Sequence, residues 1–196
     1  MFEFTGCCVH LSWMEIASGK IVEARSQRER SNAAMAQQML MLAMEFERAA
    51  AGLRTGIRKG VAATWAPYRF TALHAIELYL SAYLRLYGIE DGVIRKTGHH
   101  FRQKAEMATM LGLKLRQKTL QHLDAIGENR EYLVARYHLE ELPMCSQVNR
   151  LEATLAELAG KINKDFQQKT PPNCSGGVKI SQIRPATQPS SCLQPG

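Results

Sequence analysis

The chain has 196 residues, of which 45% are hydrophobic, and a formal net charge of +7. This length and hydrophobic content suffice for one buried core, so we expect a single domain with loose ends. Three of the excess positive charges lie in residues 169–196, which contain no acidic residue, so the body of the chain is only weakly basic. Such a body tolerates a polyanion such as RNA, although a solvated lysine and arginine surface has the same net charge.

The cysteine count argues against a disulfide framework and against a zinc site. There are five cysteines, an odd number, and none has a CxxC or Cys/His spacing. We therefore expect neither a metal nor another cofactor. The amino terminus lacks a basic segment followed by a clean apolar run, and no uncharged stretch is long enough to cross a bilayer. The sequence thus predicts a soluble, cytoplasmic protein without membrane contact.

The apolar pattern becomes helical from about Gln27. Residues 1–26 keep neither a helical nor a strand period for long, so they form an amino-terminal segment of uncertain structure. Beyond them, seven residues step by four and three and predict a helix with one apolar face towards the core: Met35, Met39, Leu42, Phe46, Ala49, Leu53 and Ile57. The four methionines at 35, 39, 41 and 44 suit an irregular core or an adaptable partner surface, and we expect core filling.

A second helix is predicted from Pro67 to Gly88. Proline fits the first helical turn, where its missing N–H has no partner, and glycine is a natural stop. Apolar residues cover most of the circumference, as in the central helix of a bundle: Phe70, Leu73, Ile76, Tyr79, Leu80, Tyr83, Leu84, Leu86 and Tyr87. The polar side chains fall in a wedge that faces either solvent or a polar groove: His74, Glu77, Ser81 and Arg85.

Further helices are predicted at about residues 99–111, 116–126 and 128–138. A last helix, capped by Ser146, has apolar residues in a three-four rhythm from Val148 to Phe166. Residues 169–196 are rich in Pro, Ser and Gln and are expected to be a disordered tail. The sequence therefore predicts an all-α, up-and-down bundle of five or six helices over residues 27–168, with a disordered C-terminal tail.

The central helix also carries a family resemblance. The stretch from Phe70 to Leu84 reads FTALHAIELYLSAYL, and it is followed by Gly88 and by the sequence GHHF at 98–101. This part, about residues 66–138, resembles HEPN domains (higher eukaryotes and prokaryotes nucleotide-binding), which have a helix similar to hQAIEkxLKA and a following gHdL. It departs from that pattern at His74, which replaces Gln, and at Ser81, which replaces Lys. The resemblance implies a HEPN-like bundle that binds RNA or a nucleotide and forms a homodimer.

Many HEPN proteins are ribonucleases with an Arg-Asn-x-x-x-His-x-Tyr motif. Arg130 and Tyr137 match the two ends of this motif, whereas Glu131 and Ala135 replace its Asn and His. Cleavage without a metal needs a proton acceptor for the ribose 2′-OH and a cation for the phosphate. Arg130 offers the cation. The remaining candidate base, His138, is about 12 Å further along a helix, so the two would be catalytic only if a dimer contact joined them.

Each of these residues also has a purely structural interpretation. Adjacent histidines on a helix point about 100° apart, so His99 and His100 cannot chelate one metal and suit a helix start instead. The arginines and tyrosines can form ion pairs or pack against the central helix: Arg130 and Arg136 with Glu77, Glu128 or Glu131, and Tyr132 and Tyr137 with apolar neighbours.

Three functions therefore remain open from the sequence. The first is a HEPN-like protein that binds RNA or a nucleotide in a polar groove without efficient catalysis, through Arg130, Arg136, Tyr137, His74, Glu77 and Arg85. The second is a metal-independent ribonuclease of toxin–antitoxin type that uses Arg130 and His138. The third is a non-catalytic interaction scaffold that engages another protein.

Overall fold

The structure, a computed structural model, describes residues 8–169, and the expected C-terminal tail lies outside them except for Lys169, which ends the last helix. The all-α class is confirmed. Within the described residues there are seven α-helices: α1 (Cys8–Arg54), α2 (Ala66–Leu86), α3 (Asp91–Lys96), α4 (Phe101–Met110), α5 (Gln117–Glu128), α6 (Glu131–Tyr137) and α7 (Val148–Lys169). Short 3-10 helices at Ala62–Thr64 and Leu139–Met144 precede α2 and follow α6. None of the described helices combines the length and the apolar character that a membrane span requires.

Helix α2 is the centre of the bundle, as its composition predicts. Its largest apolar side chains, including Tyr79 and Tyr83, are completely buried. Pro67 lies in the first turn. At the other end Gly88 adopts a left-handed φ of 83°, and the N–H groups of Gly88 and Ile89 donate to the carbonyls of Arg85 and Leu84. This is a Schellman ending, which requires the conformation that glycine adopts without strain.

Of the helices that pack against α2, one runs antiparallel to it and another runs parallel to it. Long helix α1 and the last helix, α7, lie against it, and α5 packs against α7. The directions follow from pairs of contacts at the two ends of each interface. Contacts at Glu47–Tyr79 and Met35–Arg85 show that α1 runs antiparallel to α2. Ser146, just before α7, contacts Arg69, and Lys169 contacts Tyr87, just after α2, so α7 runs parallel to α2.

Helix α1 differs from the prediction in its start and in its buried face. It begins at Cys8, so the segment before Gln27 continues the same helix. The apolar stripe expected in the core is divided: Met35 is 45% and Leu42 is 47% exposed, whereas Met39, Phe46 and Ile57 are partly buried against the core. Three alanines and a leucine are buried instead: Ala36, Leu40, Ala43 and Ala50. The predicted core role of Met35, Met41 and Met44 is therefore wrong, because small side chains at the interface let α1 lie close to α2.

The polar wedge of α2 is turned inward along most of its length. Arg85 is 4% exposed, and its guanidinium forms an ion pair with Asp91 at the start of α3 and a contact with the sulfur of Met35. Ser81 is also buried, and its hydroxyl donates to the carbonyl of Glu77 in the preceding turn. The amino-terminal half of the wedge, with His74 and Glu77, borders a groove.

Candidate functional site

The groove lies between α2, α6 and the turn that leads into α4, and we call it the Glu77 groove. Eight residues line it: Phe70, Leu73, His74, Glu77, His99, Phe101, Tyr132 and Arg136. Three of the residues expected from the sequence to bind RNA or a nucleotide, His74, Glu77 and Arg136, are thus brought together by the fold. The groove is the candidate functional site.

Glu77 is the centre of the polar contacts in the groove. Its side chain is 15% exposed, and its two carboxylate oxygens accept from different partners. Oε1 lies 2.8 Å from the Nζ of Lys104, a lysine that is 2% exposed, and Oε2 lies 2.8 Å from Nδ1 of His99. Burial acts to raise the pKa of Glu77, but the hydrogen bonds and charges of Lys104 and His99 outweigh it and hold this pKa below its usual value. Glu77 is therefore a carboxylate at neutral pH.

The Glu77 carboxylate fixes the orientation of His99. An ionised carboxylate only accepts hydrogen bonds, so the contact assigns a proton to Nδ1 of the imidazole. In the neutral ring Nε2 then carries a lone pair. The side chain is 40% exposed, and its ring lies 4.6 Å from the ring of Tyr132. A histidine held by a carboxylate in this way is suited to accept a proton or a hydrogen bond from a ligand.

His74 contributes a neutral, aromatic surface rather than a charge. Its ring lies 4.4 Å from the ring of Phe46 in an edge-on contact and 6.2 Å from the parallel ring of Phe70. Burial lowers its pKa, and the charge of Glu77, whose Oε2 is 4.0 Å from Nδ1, opposes that effect only in part. We therefore expect His74 to be uncharged at pH 7.

Arg136 supplies the cation of the groove. Its guanidinium lies 4.8 Å from the ring centroid of Phe70 and 5.9 Å from that of Tyr132, both within cation–π range. Among the side chains that the structure describes, no carboxylate forms an ion pair with it, and the residue is exposed. The predicted structural alternative, an ion pair of Arg136 with Glu77, Glu128 or Glu131, is therefore wrong. The exposed guanidinium is therefore available to an anion.

The enclosed space in the groove is small. Its volume is about 10 Å³, the size at which a cavity begins to hold a single water molecule. A nucleobase cannot enter this space in the observed conformation. A ligand therefore has to bind along the rim, where His99 and Arg136 both border the Tyr132 ring.

The remaining residues of the predicted site lie elsewhere. Arg130 immediately precedes α6, and His138 immediately follows it, so the pair expected in a ribonuclease is separated by the whole helix. Tyr137 is 69% exposed and does not pack on α2, contrary to its structural interpretation. Arg85 forms its ion pair at the opposite end of α2 from Phe70. The lining of the groove therefore does not include Arg85, Arg130 or Tyr137.

The departures from the ribonuclease motif have a structural explanation. Glu131, which replaces Asn, is completely buried, and it pairs with Arg69 at 3.3 Å and accepts from the N–H and hydroxyl of Ser146 at 2.7 Å and 2.9 Å. Ala135, which replaces His, is 6% exposed and lies one turn further along the same buried face. A histidine at position 135 would therefore point into the interior.

The exposed turn after α6 places three oxygen and nitrogen ligand atoms close together. His138, Glu140 and Glu141 bring one such atom each to within 4.8 Å of the others. All three residues are exposed, and His138 Nδ1 lies 3.5 Å from Glu140. Exposed acidic residues of this kind are common, so the geometry alone assigns no metal site.

Sequence reasoning missed His99, Lys104, Tyr132 and Phe70 as parts of the site. The predicted position of His99 at a helix start agrees with the turn before α4, but the sequence does not predict its contact with Glu77. The only local signal is the GHHF sequence within the HEPN resemblance. No known protein-family model, curated protein sequence or solved structure matches the chain, so the site rests on its own geometry.

Proposed function

We propose that the protein binds RNA through its phosphate backbone along the rim of the Glu77 groove, as a HEPN-like domain without efficient catalysis. The observation that supports this most is Arg136, a cation held over two aromatic rings without a carboxylate partner among the described residues. An arginine in this state offers its N–H donors to a phosphate. His99, oriented by Glu77, adds a polar contact on the other side of Tyr132.

The shape of the groove favours RNA over a free nucleotide. A free nucleotide gains most of its affinity from a pocket that encloses its base, and the enclosed space here is about 10 Å³. An RNA strand instead gains affinity from several phosphates at once, which the weakly basic body supports. The partly buried ring of Tyr132, which borders the rim, also suits contact with an unstacked base.

The same geometry explains why turnover should be inefficient. Cleavage by 2′-OH attack needs a proton acceptor and, for the departing 5′ oxygen, a proton donor. His99 offers an acceptor, but His74 is expected to be uncharged and Lys104 is bound to Glu77. The separated pair of Arg130 and His138 supplies neither role at the groove.

The binding proposal is tested by removing the charge of Arg136. Fluorescence anisotropy with a labelled 12-nucleotide single-stranded RNA, measured over a range of salt concentrations, compares wild type, Arg136→Gln and the matched control Arg95→Gln. Arg95 is an exposed arginine beside Asp91, at the other end of α2. We expect Arg136→Gln to weaken binding several-fold and to lower the salt slope by about one. Equal losses in both variants, or none in Arg136→Gln, would contradict the proposal.

A second candidate function is slow, metal-independent RNA cleavage at this same site. The 2.8 Å contact between Glu77 and His99 favours it, because it leaves Nε2 of His99 as a proton acceptor. In this reaction Nε2 takes the 2′-OH proton, the 2′ oxygen bonds to phosphorus, and the 5′ oxygen leaves with a proton from water. Cleavage in EDTA that gives 2′,3′-cyclic phosphate ends and is lost in His99→Gln, but not in His138→Gln, would support it.

We also propose that the protein forms a homodimer through the exposed stripe of α1. Three residues that share this face by helical spacing are exposed although they are large and apolar: Met35, Leu42 and Leu53. Sedimentation at tens of micromolar should show a dimer that Leu42→Glu dissociates. A wild-type monomer would contradict this, and would favour a stripe that serves a different protein partner, as in a scaffold or toxin–antitoxin pair.

A further inference from the structure

A second groove runs between α4 and α5, and we call it the α4–α5 groove. It consists of two adjoining cavities of about 580 Å³ and about 370 Å³, which share Arg102, Glu106 and Asp124 in their linings. Both volumes lie within the usual range of binding pockets, roughly 300–1,000 Å³. Of the described residues, Phe101 alone lines both this groove and the much smaller Glu77 groove.

The lining of the α4–α5 groove carries a net negative charge. Its charged side chains are three carboxylates and one guanidinium: Glu106, Asp124, Glu128 and Arg102. Arg102 donates to Glu106 on its own helix at 2.9 Å and to Asp124 across the groove at 3.1 Å. Glu128 is exposed and forms no ion pair with the side chains that the structure describes. Two negative charges are therefore left unbalanced, so the groove attracts cations and repels the phosphates of RNA.

The end of the groove beside the α4–α5 loop is apolar. Met110, the last residue of α4, is 87% exposed, more than any other large apolar side chain that the structure describes. Leu120 of α5 is partly buried beside it, and Ala105 is buried in the same lining. An exposed methionine at the edge of a cavity offers an adaptable apolar contact. The groove therefore suits a segment that combines apolar residues with positive charges.

The part of the chain that follows α7 has this composition. Residues 170–196 contain two cations, Lys179 and Arg184, and no acidic residue. Residues 178–184 read VKISQIR, so three apolar β-branched residues lie beside both cations in one short segment. The two cations equal the number of unbalanced negative charges in the groove. A segment too short and polar to fold alone can still become ordered on a complementary surface.

Helix α7 ends close to the apolar end of the groove. The Nζ of Lys169 lies 3.2 Å from the ring centroid of Tyr87, and this ring lies 4.6 Å from the ring of Tyr83. The hydroxyl of Tyr83 in turn lies 3.5 Å from the carbonyl oxygen of Leu111, the residue directly after α4. Residues 170–177 span up to about 26–29 Å when extended. The basic segment that follows them is therefore within reach of the groove.

We propose that residues 178–184 of the same chain dock in the α4–α5 groove. Ile180 and Ile183 cover the apolar end at Met110 and Leu120, where they replace water. The two cations of the segment lie beside the carboxylates and balance their charge. Because the segment is tethered to the bundle, its effective concentration is high and weak contacts suffice. This proposal does not depend on RNA binding at the Glu77 groove, so either can fail without the other.

A spin label on Cys174 tests this docking in the full-length protein. The other cysteines are replaced by serine, and the label then lies four residues before Val178. Methionine methyl groups carry ¹³C, and Met110→Leu assigns the Met110 signal. We expect the label to broaden the Met110 signal strongly and that of Met144, which is 83% exposed and lies before α7, little. Dilution with excess unlabelled protein should leave the broadening unchanged, because the contact is within one chain.

Charge reversal distinguishes docking from the mere proximity of a tethered segment. Lys179→Glu/Arg184→Glu keeps the length of the segment and should reduce the broadening at Met110 several-fold. Glu128→Lys should also reduce it, and this variant should fold because lysine is favourable at the end of a helix. Glu140→Lys, at an exposed carboxylate after α6, is the matched control and should have no effect.

Three results would overturn the proposal. The first is a Met110 signal that the label does not broaden, or broadens equally in Lys179→Glu/Arg184→Glu. The second is a loss of broadening on dilution, which would place the segment on a second copy of the chain. The third is an effect of Glu128→Lys no larger than that of Glu140→Lys.

Discussion

Replacing Glu157 by glutamine should cost about 3 kcal/mol of the free energy of unfolding at pH 7. This side chain of α7 is 3% exposed and accepts four hydrogen bonds. Arg116 donates its backbone N–H at 2.9 Å and its Nε at 2.8 Å, the hydroxyl of Thr119 donates at 2.5 Å, and Lys161 donates at 2.6 Å. The carboxylate thus caps the start of α5, which has no side-chain cap of its own, and joins α5 to α7.

The size of the effect follows from the pKa of Glu157. Burial acts to raise this pKa, but the hydrogen bonds from Lys161, Thr119 and Arg116 outweigh it and lower the pKa from 4.5 to about 2. Each unit is worth about 1.4 kcal/mol. Because the folded-state pKa lies below the unfolded-state value, the stabilisation is complete above about pH 4.5 and is lost as the pH falls towards 2. For a chain of this size, 3 kcal/mol lowers the melting temperature by about 6–12 °C.

Urea and thermal unfolding followed by circular dichroism at pH 7, 4 and 3 measure this effect. Glu152→Gln is the matched control, because Glu152 lies on the same helix and pairs with Arg54 while 46% exposed. An exposed pair contributes only about 0–1 kcal/mol. The difference in the free energy of unfolding between wild type and Glu157→Gln should become smaller as the pH falls. Equal losses in the two variants at pH 7, or a difference that stays constant down to pH 3, would refute the reasoning.

Burial and, to a lesser extent, nearby arginines lower the pKa of His122 from 6.5 to about 4. Because the unfolded chain takes up a proton at a higher pH than the folded protein, stability should fall as the pH decreases from about 6.5 towards 4. The double variant His122→Leu/Thr154→Val, which removes both partners of a 2.8 Å contact, should flatten the pH dependence of the melting temperature in that range. Arg69→Met leaves the buried Glu131 carboxylate unpaired and should cost about 3–5 kcal/mol in urea unfolding, whereas Arg69→Met/Glu131→Leu should cost much less. Arg130 has a φ of 48°, a left-handed conformation that glycine adopts without strain and a β-branched residue does not. Arg130→Gly should therefore be as stable as wild type or up to about 1 kcal/mol more stable, whereas Arg130→Val should reduce the melting temperature.

Local signals explain which parts of the fold were predictable. The proline at 67 and the glycine at 88 bound α2 because each acts within one helical turn, and the structure places the helix at Ala66–Leu86. The regular spacing of apolar residues likewise predicts α7. Gly112, which has a φ of 104°, marks the end of α4. These features depend on neighbouring residues only, so a single sequence contains them.

The face of α1 was not predictable from apolar periodicity. Large residues mark one stripe of this helix, but the structure buries an adjacent stripe of alanines at positions 36, 43 and 50. Alanine adds little to a hydrophobic pattern, yet it permits the close approach of two helices. The large residues at 35, 42 and 53 are left on the surface, where they form the stripe that we propose as a dimer interface.

The candidate site was predictable only in part. His74 and Glu77 share a face of α2 by helical spacing, which the sequence shows directly. His99 and Lys104 approach Glu77 across 22 and 27 residues, and no periodicity encodes such a contact. Arg130 and His138 stand at the two ends of α6, as the sequence predicts, but the burial of Glu131 and Ala135 inside this helix depends on tertiary packing that the sequence does not show.

The central claim is that RNA binds at the Glu77 groove, and the histidine side chains report it most directly. Long-range proton–nitrogen NMR resolves the imidazoles, and the spectrum of His99→Gln assigns the His99 resonances. On addition of the 12-nucleotide RNA we expect the His99 resonances to shift, while those of buried His122 and of His138 stay in place. Shifts confined to His138, with His99 unchanged at saturating RNA, would contradict the account.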